Sequence, residues 1–328
     1  MLELHGYDNS RGDVYMQAII SIMPIFMIML LGWFLKVKDI MNNDFIYKLN
    51  LIIYWVAIPA LLFRMMLRCD INSISQMSLF KSLYLAFIFT PLLAWGLGII
   101  RTKLVGFHED RVPVSVLSSI RANNIFMGLP VVSLLIGDPG VEAVSIYLAV
   151  GMVGYHVMSI GIAQLAQTGR LSIEGLFRTL VNLMKNPIII SVVAGLCVSM
   201  AGLCNIPPFL DQFLGILAKT ASGMALLAIG ASFNHSRLFK AFKETWFDAL
   251  FKLFVSPLVM WCAFLVWRVD GIMMNTVILI CAMPVAVNTF SVAQGMEMDS
   301  SYASEVITTS TLLSVLSIPV WTFILGIS

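Results

Sequence analysis

The chain carries little charge, and long stretches of it carry none. Only 12% of its 328 residues are charged, whereas 59% are hydrophobic, and the mean hydropathy is +0.91. Soluble domains contain about 25% charged residues, so this composition excludes a soluble globular class. Apolar runs long enough to cross a bilayer recur along the sequence and indicate a polytopic helical membrane protein.

The motifs of several chemistries are also missing. The sequence has no His-Glu-x-x-His, no Gly-x-Ser-x-Gly and no pair of aspartates in the middle of an apolar run. Hydrolysis and proteolysis therefore lack a metal or a nucleophile. The five cysteines show no metal-ligand spacing, and nothing suggests the repeated selectivity filter of a channel. We predict a protein that is not an enzyme and that uses no metal and no cofactor.

The apolar runs predict an all-α fold of ten spans, at about residues 15–37, 45–66, 79–100, 112–137, 140–166, 187–204, 206–233, 246–267, 271–295 and 300–327. Residues 171–185 show the amphipathic helical pattern of a segment that lies in the membrane interface. The predicted domains are a first five-helix repeat (1–166), an interfacial linker helix (167–186) and a second five-helix repeat (187–328). Because each repeat has an odd number of spans, the second is inserted upside down relative to the first.

Lysine and arginine are distributed unevenly between the two membrane sides. Thirteen lie in or near the loops after odd-numbered spans, counting Lys252 as snorkelling to that side, and five lie on the other. The positive-inside rule predicts that the first side is cytoplasmic, with both termini on the non-cytoplasmic side. The predicted location is the plasma membrane, in particular a bacterial inner membrane.

The fourth and ninth spans each contain a proline beside bare amides near their middle. The residues are Asn123, Asn124, Gly128 and Pro130 in the fourth span, and Pro284, Asn288 and Thr289 in the ninth. A proline removes a backbone donor and kinks or breaks a helix, and freed backbone groups survive in a bilayer only inside protein or beside a wet cavity. Two breaks in corresponding places of two halves indicate the substrate site of a transporter. The prolines Pro24, Pro59, Pro91, Pro257 and Pro319 are predicted to be kinks without a ligand role.

Arg121 and Lys219 are the two basic residues well inside predicted spans, where each costs roughly 2.5–3.5 kcal/mol. Arg121 either serves the site, snorkels to the cytoplasmic surface or pairs with a carboxylate at a span end. Lys219 is either a functional charge or the partner of a carbonyl or buried carboxylate.

Carboxylates are absent from the middle of the fourth and ninth spans, which disfavours a Na⁺ or H⁺ site there. The neutral amides, freed N–H groups and half-helix N-termini suit a carboxylate substrate, and they suit a neutral solute equally. Tyr155 and His156 lie midway along the fifth span, the natural neighbour of the fourth. His156 is either a hydrogen-bonding residue or, since histidine titrates near neutrality, a proton-coupling group.

Five stretches run in order along the chain: Asn50–Phe63, Asn123–Pro130, Asn186–Leu196, Gly223–Gly230, and Met283–Pro284 with Ser310–Ser314. As a set they resemble the auxin efflux carrier family, within the bile, arsenite and riboflavin transporter superfamily. The resemblance implies that the fourth and ninth helices cross where they unwind, and that a transport domain (spans 3–5 and 8–10) slides against a scaffold (spans 1, 2, 6 and 7). It also implies organic-anion substrates and a homodimer through the scaffold. Plant members usually have an acidic residue near the position of Lys219, so auxin itself is not carried over.

Together these features predict an elevator-type secondary transporter of a small organic anion in the lipid bilayer, with no nucleic-acid partner. The predicted substrate-binding residues are Asn123, Asn124, Asn288, Thr289, Arg121, Lys219 and Tyr155, with Gly128, Pro130 and Pro284 at the helix breaks. The alternative is a membrane sensor or a lipid- or sterol-binding scaffold on the same fold.

Overall fold

The computed structural model describes residues 23–24, 26–67, 77–170, 187–203, 206–231 and 238–327, together with five residues of the predicted linker, Glu174, Phe177, Val181, Met184 and Lys185. Within these residues the regular structure is helical apart from one isolated β-bridge. The α-helices are α1 (Phe26–Val37), α2 (Asn43–Ile52), α3 (Ile58–Leu67), α4 (Met77–Val105), α5 (Val112–Ile120), α6 (Leu129–Leu135), α7 (Asp138–Thr168), α8 (Pro187–Met200), α9 (Pro208–Ala231), α10 (Leu238–Leu250), α11 (Ser256–Trp267), α12 (Gly271–Cys281), α13 (Thr289–Gly295) and α14 (Ser300–Ile324). Single π-helical turns lie at Ile53–Ala57, Asn124–Gly128 and Phe251–Val255.

Within the described part of the chain, six continuous helical segments are long and apolar enough to cross a membrane: Asn43–Leu67, Met77–Val105, Asp138–Thr168, Pro208–Ala231, Phe242–Trp267 and Ser300–Ile324. They match the predicted spans two, three, five, seven, eight and ten. Shorter apolar helices at Phe26–Val37, Asn124–Leu135, Pro187–Met200 and Gly271–Cys281 overlap spans one, four, six and nine. The predicted polytopic helical class is therefore confirmed, whereas the pairing of the spans into two inverted repeats stays a prediction.

The predicted linker helix lies mostly outside the described residues. Of its apolar face, Phe177, Val181 and Met184 are described, and all three side chains are exposed. The first eleven residues of the predicted first span, 15–25, are described only at Met23 and Pro24.

The helices pack in two sets. In the first set α3 lies against α8 and α9. In the second, α4 contacts α5, α7 and α11, α12 contacts α7 and α11, and α10 lies along α14. The boundaries of several helices are set locally: the Asn42 side chain accepts from the Phe45 amide at the start of α2, and Asp299 accepts from the Tyr302 amide at the start of α14.

Ion pairs tie the second set together at one edge of the bundle. Arg101 at the end of α4 bonds to Asp248 of α10 at 3.0 Å, and Arg111 before α5 bonds to Glu244 of α10 at 2.8 Å. Tyr302 of α14 donates a hydrogen bond to Asp248. The start of α5 therefore lies at the depth of Glu244, in the middle of α10.

Two glycines bring α1 and α9 into backbone contact. A Cβ atom on Gly230 would lie 1.8 Å from the carbonyl oxygen of Met29, and one on Gly32 would lie 2.1 Å from the carbonyl oxygen of Leu227. Small residues allow this close approach, which is a main source of helix association in membranes. By contrast, a Cβ on Gly223, two turns earlier on α9, would meet nothing within 4 Å.

We expect Gly230→Ala to separate α1 from α9 and to destabilise the protein by about 1–3 kcal/mol, since a rigid carbonyl cannot yield to the new methyl group. Gly223→Ala is the matched control on the same helix and should leave stability unchanged or slightly higher. Thermal unfolding in detergent measures both. Equal melting temperatures for the two variants would contradict the backbone contact.

Candidate substrate site at the helix breaks

The chain breaks in the fourth and ninth spans and the two breaks pair with each other. α5 ends at Ile120 and α12 ends at Cys281. Ala122 and Val285 then form an isolated antiparallel bridge. On either side of it, the Asn123 amide donates to the Pro284 carbonyl at 2.8 Å and the Ala286 amide donates to the Arg121 carbonyl at 2.7 Å. Each broken segment thus satisfies backbone groups that the other has freed, as a protein interior within a membrane requires.

The two prolines do not occupy equivalent places. Pro284 lies inside the break, as predicted, and its carbonyl takes part in the pairing. Pro130 lies at the second position of α6, well after the break at 121–123. A proline fits the first turn of a helix because its missing N–H has no partner there in any case. Gly128 serves the crossing sterically, since a Cβ there would lie 2.6 Å from Cδ1 of Ile280 in α12.

Each of the three π-turns ends two residues before a proline. These prolines are Pro59, Pro130 and Pro257, and the residue before each one closes a five-residue backbone bond, such as that from the Ile58 amide to the Ile53 carbonyl. The wider turn relieves the clash of the proline ring with the preceding turn. It also redirects side chains: Tyr54 and Asn124 reach the cavity described below. The prediction that Pro59 and Pro257 are kinks without a ligand role therefore leaves out the π-turn before each proline. The turn before Pro59 brings Tyr54 to the cavity wall.

Arg121 caps the end of α5 and its side chain is completely buried. Its guanidinium lies 3.0 Å from Asn288 Oδ1, and 3.3 Å each from Thr289 Oγ1, Ser159 Oγ and His156 Nδ1. Among the described residues none of its partners is a carboxylate. Two of the alternatives predicted for Arg121 are therefore wrong. It neither snorkels to the surface nor pairs with a described carboxylate at a span end.

A cavity of about 100 Å³ lies beside this guanidinium. The lining residues come from both helix sets and include Tyr54, Ala122, Asn123, Asn124, Ile125, Phe126, Tyr147, Leu148, Met152, Tyr155, His156, Ile188, Ala286, Val287 and Asn288. Tyr54 and Ile188 belong to the set around α3 and α8, whereas the rest belong to the broken helices and α7. The cavity is therefore a contact zone between the two sets.

The three predicted asparagines lie together in the cavity wall. Because Oδ1 of Asn288 accepts from Arg121, its amide nitrogen remains as a donor, and no described residue accepts from it. The Asn123 side chain likewise has no hydrogen bond to a described residue. Oδ1 of Asn124 is buried and unpaired among the described residues. Asn123 and Asn124 are buried, whereas Asn288 is exposed. Leaving the Asn123 side chain and Oδ1 of Asn124 unpaired is costly, and a polar ligand or water in the cavity removes that cost.

Tyr155 and His156 flank the arginine from α7. The Tyr155 hydroxyl donates to the Ala122 carbonyl at 3.4 Å, and the Arg121 guanidinium lies 5.5 Å from the centre of its ring. Because arginine only donates, Nδ1 of His156 must accept, which requires a neutral ring with its proton on Nε2. Proton coupling through His156 stays a prediction.

The two lysines of the core region differ from expectation. Lys219 is exposed on α9 and does not line the cavity, so the structure does not bring it to the predicted site. Lys252 does not snorkel to the cytoplasmic side as the sequence predicts, because its side chain is completely buried and donates to the Cys281 carbonyl at the end of α12. Each π-turn covers the residues that lie six to two positions before a proline. Lys252 lies five positions before Pro257, so this pattern is the sequence signal that places it in such a turn.

The protein has several membrane helices, two paired helix breaks and a cavity between them that is lined by asparagines of both breaks. This is the construction of a membrane carrier. The chain matches the model of the membrane transport protein family over residues 17–322 and belongs to it. The resemblance to auxin efflux carriers is thereby confirmed.

The relatives are distant but match along at least 90% of the chain. An uncharacterized transporter of Methanothermobacter thermautotrophicus is 22% identical over 320 residues, which is 95% of this chain and 100% of the relative. An uncharacterized transporter of Methanocaldococcus jannaschii is 23% identical and covers 93% of this chain and 97% of the relative. A Rhizobium meliloti protein named "Putative malonate transporter" is 24% identical over 305 residues, 90% of this chain and 92% of the relative.

The contact between Thr289 and Arg121 can be tested by comparison with a second buried threonine. We expect Thr289→Val to destabilise the protein by about 1.5–3 kcal/mol, because it removes an acceptor from a buried charged donor. Thr276→Val is the control: Thr276 is equally buried, and no described residue bonds to its hydroxyl. That substitution should be neutral or stabilising in the same thermal unfolding measurement. A Thr289→Val variant as stable as Thr276→Val would mean that Arg121 does not depend on this hydroxyl.

Proposed function

We infer that the protein is a secondary transporter of a small organic anion, which binds in the cavity where the two broken helices meet. The observation that carries this inference is the arrangement of Arg121 and Asn288. The guanidinium donates to the amide oxygen of Asn288, so the amide nitrogen of Asn288 is left to donate to a ligand. Donors polarised by a buried cation favour a negatively charged ligand over a cation.

The size and surroundings of the cavity favour a small carboxylate. Its volume of about 100 Å³ suits a compact ligand. Asn123 and Asn288 approach it from different broken helices, and its other walls are largely apolar or aromatic. The Rhizobium meliloti relative that is named for malonate supports the same class. Malonate is therefore the first probe.

The position of the cavity supports alternating access by relative movement of the two helix sets. One wall belongs to α8 and the π-turn before α3, and the remainder belongs to the broken helices and α7. Ion pairs between α4, α5 and α10 join much of the second set at one edge. In the elevator mechanism that we propose, this set carries the bound anion past the first set, and Tyr54 and Ile188 are contacts that change during the movement.

Malonate applied to proteoliposomes on a solid-supported membrane should give a saturable current of negative charge. Asn123→Ala and Asn288→Ala should each weaken the apparent malonate affinity by about tenfold or more, since each removes a donor to a charged ligand worth about 1.5–3 kcal/mol. Asn275→Ala is the control, because Asn275 lies outside the cavity and bonds to the Leu325 carbonyl. Its affinity should equal that of the unsubstituted protein.

Two results would contradict the proposal. Unchanged affinity in both cavity variants would move the site elsewhere. Saturable binding of malonate without any flux, measured with radiolabelled malonate in the same proteoliposomes, would favour the membrane sensor instead.

A further inference from the structure

Lys252 is a second buried cation beside the crossing, and no step of the proposed transport uses it. Its side chain is fully buried, and its ammonium donates to the Cys281 carbonyl. Among the described residues no carboxylate pairs with it. A lysine in the middle of a membrane helix is costly, so its partner must offset much of this cost. The C-terminal end of α12, where carbonyls lack helical partners, carries the partial negative charge that does so.

The local structure directs Lys252 to this position. Lys252 lies in the π-turn Phe251–Val255, which precedes Pro257. Because Pro257 has no N–H, the Leu253 carbonyl four residues earlier lacks its helical donor, and the indole of Trp321 donates to it at 2.8 Å. The widened turn is therefore satisfied from α14, and Lys252 faces the end of α12.

Lys252 and Arg121 lie at similar depths. Glu244 and Arg111 form an ion pair at one edge of the bundle. Lys252 follows Glu244 by eight residues and Arg121 follows Arg111 by ten. At a rise of about 1.5 Å per residue, the two cations lie about 12 and 15 Å from that edge. One cation thus lies at the end of each half-helix that enters the crossing: Arg121 caps α5 and Lys252 binds the last residue of α12.

We propose that Lys252 is a positioning residue for the substrate site, an inference that rests on the proposed function. Its ammonium fixes the end of α12 and with it the segment 282–288, which carries Asn288. The same segment is held further along by the Ser310 hydroxyl, which accepts from the Val285 amide at 3.1 Å, and by the bridge to Ala122. Lys252 is the charged member of these contacts and the one nearest the helix end.

Three substitutions separate the contributions of charge and hydrogen bonding. Lys252→Arg keeps both, Lys252→Gln keeps a donor without charge, and Lys252→Met keeps the length of the side chain without either. We expect the malonate dissociation constant, measured by titration calorimetry in detergent, to rise about tenfold in Lys252→Met. Lys252→Gln should lie between, and Lys252→Arg should be closest to the unsubstituted protein. Lys219→Met is the matched control, an exposed lysine in the middle of a helix that lies outside the cavity.

A second readout needs no ligand. Amide hydrogen exchange of the segment 282–288 should accelerate about tenfold or more in Lys252→Met and stay unchanged in Lys219→Met, since only the first loses an anchor of this segment. Unchanged exchange in Lys252→Met, or a lower melting temperature with unchanged malonate affinity, would overturn the positioning role. If the unsubstituted protein neither binds nor transports malonate, the proposed function fails for this anion, and the exchange comparison still decides the role of Lys252.

Discussion

The structure depends on the mutual pairing of two broken membrane segments. A helix that stops inside a bilayer frees carbonyl and N–H groups that no lipid can satisfy. Here the segment after α5 and the segment after α12 supply each other's partners through the bridge between Ala122 and Val285 and its two flanking hydrogen bonds. Neither break is tenable alone, because each provides the acceptor or donor that the other lacks. The amide-lined part of the cavity follows from this pairing, since the pairing places asparagines of both segments side by side.

The crossing also determines where charge is stable. The side chain of Arg121 is buried, and four neutral side chains lie within hydrogen-bond distance of its guanidinium. Two of them belong to the broken ninth span and two to α7. Hydrogen bonds to charged groups are worth about 1.5–3 kcal/mol each, so such a set offsets an insertion cost of roughly 2.5–3.5 kcal/mol. The guanidinium therefore needs no carboxylate, and it in turn fixes the orientation of the Asn288 amide.

Much of this arrangement was predictable from the sequence, and the exceptions have physical reasons. Hydropathy located the long helices, and the amides near Pro130 and Pro284 indicated the two breaks. The position of Pro130 relative to its break was not predictable, because a proline is as stable in the first turn of a helix as inside a break. Arg121 and Lys219 looked alike, since both are cations within apolar runs, and only tertiary contacts separate the buried residue from the exposed one. Lys252 was misplaced because it lies near a predicted span end, where snorkelling is common.

The distribution of ionic partners supports the proposal that an anion binds in the middle of the bundle. At the edge, Arg101 and Arg111 are neutralised by Asp248 and Glu244. In the middle, Arg121 and Lys252 have only neutral or carbonyl partners among the described residues. A carboxylate beside Arg121 would satisfy it more strongly, but it would also cancel the positive potential and compete with an incoming anion for the donors of the cavity. Neutral partners hold the cations in place and leave their positive charge uncompensated. The electrostatic attraction of this charge is therefore available to a ligand that brings its own negative charge.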